Sequence, residues 1–69
     1  MPRVVMLHIR AAEGAWVVER DGNRSHAFPR CEAAVGYACG LASHLTTLLD
    51  RPRVQVRVTN LLGREFRVR

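Results

Sequence analysis

The chain has 69 residues, a hydrophobic fraction of 48% and a formal charge of +5, with 11 basic residues, all arginine, against 6 acids. That length allows one domain, whose core withdraws only about 60% of the unfolded surface from water. Two cysteines exclude a disulfide framework, and the absence of an apolar run near 20 residues excludes a membrane-spanning helix.

Val4 to Arg10 is a β-branched and aliphatic run, as a first strand requires, with Val5, Leu7 and Ile9 on one face and Val4, Met6, His8 and Arg10 on the other. Ala12-Glu13-Gly14 turns the chain into a second strand, Ala15 to Arg20, where Trp16 and Val18 face one way and Val17 and Glu19 the other. Asp21-Gly22-Asn23 tolerates positive φ and closes a tight hairpin, from which Arg24 to Phe28 returns as a short third strand. A helix follows. Pro29 suits its first turn, Glu32 complements its dipole, and Cys31, Ala34, Val35, Ala38, Leu41, Ala42, Leu45, Leu48 and Leu49 recur at helical spacing. It should run to Asp50, because Pro52 forbids much continuation; at roughly 20 residues it would be about 30 Å long. Arg53 to Thr59 and Arg64 to Val68 are the closing strands, joined by Asn60-Leu61-Leu62-Gly63 with Gly63 placed for a positive φ.

This order predicts an α+β fold: an antiparallel sheet of four to five strands with one long helix packed on one face. The helix should cover the face bearing Leu7, Val54, Val56, Val58 and Phe66. Gly14-Ala15-Trp16-Val17-Val18-Glu19-Arg20-Asp21-Gly22, then Phe28, Ala33-Ala34, Ala38, Leu41-Ala42, the alternating Val54, Val56 and Val58, and Gly63-Arg64 resemble a family of small uncharacterised bacterial domains. Its members pair a Gly-x-Trp-x-Val-x-Arg-x-Gly hairpin with an alanine-rich helix and a final hairpin. The resemblance implies the same fold and brings no catalytic residues. Where the family opens its helix on a threonine-lysine pair, this chain has Pro29-Arg30.

Charge is distributed unevenly. Residues 1–50 hold five arginines and five acids, whereas residues 51–69 hold six arginines and Glu65 alone. There Arg53, Gln55 and Arg57 alternate with Val54, Val56 and Val58, and Arg67 and Arg69 flank Val68. Alternate side chains of a strand leave opposite faces, so Arg53, Gln55, Arg57, Arg67 and Arg69 should share one cationic face, extended by His8 and Arg10. Such a face fits the phosphates of DNA or RNA, with Gln55 the residue for a base edge. Glu19 and Glu65 stand ready to pair with some of these arginines, and the same face also suits a solvated or protein-facing sheet. A composition rich in Ala, Val, Gly and Leu accompanies GC-rich coding, so the exclusive use of arginine is weak support for phosphate binding.

On the helix, Gly36, Gly40, Ser43 and Thr47 form a stripe opposite the apolar face. Glycine inside a helix costs about 1 kcal/mol relative to alanine, so the stripe offers a dimer interface where two helices cross; an edge strand offers another. Cys31 and Cys39, about 12 Å apart along one helix, cannot bond to each other. His8, His26 and His44 lie in separate elements and lack metal-ligand spacing. We therefore expect no catalytic residues, metal or cofactor, a cytoplasmic location, and a small non-catalytic binding module. Its partner is a nucleic acid or, alternatively, another protein or a second copy of the chain.

Overall fold

The computed structural model describes residues 3–48 and 52–69; the expected helix end at Leu49 and Asp50, and Arg51, fall outside them. The chain forms β1 (Val4–Ala12), β2 (Ala15–Arg20), β3 (Asn23–Phe28), α1 (Cys31–Thr46), β4 (Arg53–Thr59) and β5 (Glu65–Arg67). The five strands make one sheet in the order β3-β2-β1-β4-β5, with α1 packed on one face. The α+β class is as expected.

The sheet is mixed rather than antiparallel, because β1 and β4 pair in parallel. Two tight turns cause this. Asp21 and Gly22 have φ of 50° and 85°, and Glu13 and Gly14 have 53° and 78°, so each hairpin reverses the chain within two residues. After two reversals β3 runs in the direction of β1. The helix then carries the chain back along the sheet, so the next strand must run with β3. It enters beside β1, which becomes the central strand, and parallel neighbours need such a crossover.

Val5, Leu7, Ile9, Val18 and Val56 are fully buried on the helix-facing side, opposite Ala34, Ala38 and Ala42 of α1. The large side chains come from the sheet and the small ones from the helix. Alanine lets the helix backbone approach closely, so β-branched residues fill the space between layers. Trp16, Phe28, Val35, Tyr37 and Leu41 pack around this centre, half-buried.

Two expectations fail at the ends of α1. Pro29 lies before the helix, whose N-cap is Arg30 in an extended conformation. The helix has 16 residues rather than roughly 20, and Thr47 caps it, the backbone N–H groups of Thr47 and Leu48 donating to the carbonyls of His44 and Leu45 respectively. Leu48 is consequently outside the helix and 42% exposed. Phe66 is also misplaced by the sequence reading. It stands opposite Val58, on the helix-facing side, but α1 packs on β4, β1, β2 and β3 and stops short of β5. Phe66 is 47% exposed as a result.

Candidate nucleic-acid interface on the open sheet face

The face away from α1 carries the residues that alternate with the core. Cross-strand pairing sets Glu19, His8, Arg57 and Arg67 in one row over β2, β1, β4 and β5. The next row holds Val17, Arg10, Thr59 and Glu65. Arg53 and Gln55 continue β4 beyond these rows, opposite Val4 and Met6 of β1. Arg53, Gln55, Arg57 and Arg67 therefore share a face, joined by His8 and Arg10.

Arg69 does not join them. Val68 and Arg69 both donate their backbone N–H to Val56 O, at 2.7 and 3.3 Å, and Val56 N–H donates to Arg69 O at 3.0 Å. Two residues thus oppose one, which is a β-bulge, and the alternation slips by one position. The Arg69 side chain leaves toward α1, where Nη1 donates to Ser43 Oγ at 2.8 Å and to Cys39 O at 3.3 Å. A bulge has no mark in an Arg-x-Arg pattern, so the sequence placed this residue on the wrong face.

The remaining arginines differ in how firmly they are held. Arg10 forms a 2.8 Å ion pair with Glu19. Arg57 lies between two weaker partners, Glu65 Oε1 at 3.3 Å and Gln55 Oε1 at 3.2 Å. Both distances exceed the 2.7–2.9 Å of a strong charge-assisted bond, and the side chain is 39% exposed. Arg57 Nε is buried with no acceptor among the described residues. Arg67 Nε reaches only Arg69 O, at 3.4 Å. Arg53 is exposed and makes no side-chain hydrogen bond among the described residues. His8 Nε2 is 2.7 Å from Thr59 Oγ1, which fixes the ring between the two rows.

Arg57 directly opposite Arg67 is the unusual feature. The ladder bonds Asn60 to Arg64 and Val56 to Val68, so alternation makes Val58–Phe66 a bonded pair and Arg57–Arg67 a non-bonded one. Side chains approach most closely in non-bonded pairs, and like charges there are unfavourable. Glu65, 3.3 Å from Arg57, relieves part of this repulsion.

The other candidate residues lie on α1. Gly36 and Gly40 are exposed, and a Cβ at either would meet nothing within 4 Å. Ser43 is occupied by Arg69, and Thr47 is the C-cap, its Oγ1 donating to His44 O at 2.7 Å. The stripe is thus exposed, crossed near its middle by a guanidinium. Sequence reasoning also missed an aromatic cluster on the helix side, with His26 and Tyr37 ring centroids 4.5 Å apart and Phe28 and Tyr37 5.3 Å apart. The signal was available, since His26 and Phe28 are two apart on one strand. Cys31 and Cys39 are free thiols, and among the described residues no three His, Cys, Asp or Glu side chains converge as a metal site. No helix of the described residues is long and apolar enough to cross a membrane.

Comparison with family models, curated proteins and solved structures finds no match to this chain.

Proposed function

We propose that the chain is a cytoplasmic, non-catalytic module that binds the phosphate backbone of nucleic acid on the open face of β4 and β5. The observation that carries this is the like-charge pair Arg57–Arg67, flanked by Arg53 and by His8, on the face opposite α1. Arg53, Arg57 and Arg67 contact phosphates. Arg57 exchanges its long bonds to Glu65 and Gln55 for a shorter one to a phosphate oxygen. Gln55, released from Arg57, presents its side-chain amide to a base edge. Glu19 neutralises Arg10, and Arg24 of β3, exposed opposite Glu19, carries a further charge at the far edge of the same face.

A fluorescence anisotropy titration with labelled duplex and single-stranded oligonucleotides tests this. Three phosphate contacts give an affinity that falls with salt at a log–log slope of about −3 on duplex and about −2 on single strands. Absence of binding to either at low salt rules the reading out. A second function, association with another protein or copy, is favoured by a separate feature, the exposed edge of β5.

A further inference from the structure

We propose that β5 is a self-complementary edge through which two copies of the chain pair antiparallel about a two-fold axis at Phe66. Three features of the strand support this, and none depends on nucleic-acid binding. First, because Val58–Phe66 is a bonded pair in the ladder with β4, Phe66 turns its backbone inward. Glu65 and Arg67 therefore direct their N–H and C=O groups to the open edge, as an added strand requires.

Second, the charges match. Charged side chains on an edge strand ordinarily block pairing. In this strand an acid and a base flank Phe66 symmetrically, and a two-fold axis at Phe66 sets Glu65 opposite the second copy's Arg67, twice over. The devices that repel other strands become cross-strand ion pairs with this one. The opposite edge, β3, has no such match: its only charged residue is Arg24.

Third, two apolar side chains left uncovered by α1, Phe66 and Val68, lie along this edge. Phe66 is 47% and Val68 44% exposed, and Arg64 sits over the Phe66 ring at 5.9 Å. Pairing about Phe66 brings the two Phe66 rings together on the helix-facing side and sets each Val68 beside the other copy's Arg64. The apolar gap beyond each helix is closed by its counterpart. The glycine stripe of α1 offers no comparable match, since a crossing helix would have to displace Arg69 from Ser43.

The paired sheets would form one ten-stranded sheet, joining the two open faces so that Arg53, Arg57 and Arg67 of both copies line a single surface. Short strands make the contact modest, so association should depend on protein concentration.

Sedimentation velocity over a concentration series, with circular dichroism as a fold control, tests the pairing. The parent chain should shift from monomer to dimer with rising concentration. Arg67→Glu and Glu65→Arg should each sediment as folded monomers, because each sets like charges opposite one another. The exchange Glu65→Arg/Arg67→Glu restores opposite signs and should restore the dimer. A parent chain that stays monomeric throughout, or an exchanged variant that stays monomeric while the parent dimerises, overturns the proposal. So does dimerisation of both single variants.

Discussion

Leu7→Ala should cost about 2–5 kcal/mol of folding stability, the range for truncating a fully buried leucine. Leu7 is 0% exposed on the central strand, with Val56 beside it in the parallel pair. Its helix-side neighbours are alanines, too small to collapse into the space it leaves. A domain of this size has only about 0.05–0.15 kcal/mol per residue of net stability, or roughly 3–10 kcal/mol in all. At the middle of both ranges the substitution removes about half of it. Thermal unfolding followed by circular dichroism should show a midpoint lower by about 10 °C or more. Phe66→Ala, at a half-exposed site outside the helix footprint, should cost under about 1.5 kcal/mol in the monomer. Comparable losses at the two positions would mean that the core does not lie where α1 meets β1.

Arg57→Glu/Arg67→Glu should abolish oligonucleotide binding while leaving the chain folded. Bonds to charged groups contribute about 1.5–3 kcal/mol each. Losing two, and replacing attraction by repulsion, lowers affinity at least about a hundredfold at low salt. Arg57→Gln/Arg67→Gln removes the same contacts without adding negative charge, and a loss of about a hundredfold, smaller than that of the glutamate pair, is expected. Arg64→Glu is the control, since Arg64 lies over Phe66 on the other side of the strand; its affinity should stay within about threefold of the parent, by screening of the longer-range charge. Anisotropy titrations of the three variants separate a defined face from general attraction to a basic chain. Equal losses in Arg57→Gln/Arg67→Gln and Arg64→Glu, each of which lowers the charge by two, would indicate that net charge alone is responsible.

Much of this architecture was legible in the residues because the signals are local. Asp21-Gly22 demanded positive φ, and the hairpin is there. The alternation of Arg53, Gln55 and Arg57 with three valines placed β4 correctly, with Val56 buried and Arg53 exposed. The apolar stripe of α1 pointed at the sheet as its spacing required, with Ala34, Ala38, Ala42 and Leu45 buried.

What was illegible depends on distant partners. The parallel pairing of β1 with β4 follows from where the crossover lands, which no window of sequence contains. Phe66 reads as a core residue by type and period, yet its burial depends on how far the helix reaches across the sheet. Arg69 was lost to a bulge that only the bonds to Val56 reveal. The partial capture of Arg57 by Glu65 needed both the register of β5 and the turn at Asn60, whose Oδ1 accepts from Leu62 and Arg64 N–H at 2.9 Å each. The cationic face is accordingly smaller than its arginine count implied, and it centres on Arg57 and Arg67 rather than spreading to the chain end.

The central claim is that the uncovered side of β4 and β5 is the binding surface, and amide and guanidinium chemical-shift mapping with a short oligonucleotide at low salt tests it most directly. Perturbations should concentrate on Arg53, Gln55, Arg57 and Arg67, reach His8 and Arg10 more weakly, and leave Gly36, Gly40 and Ser43 of α1 unmoved. Shifts confined to α1 or to the β3 edge, or none at saturating oligonucleotide, would contradict it.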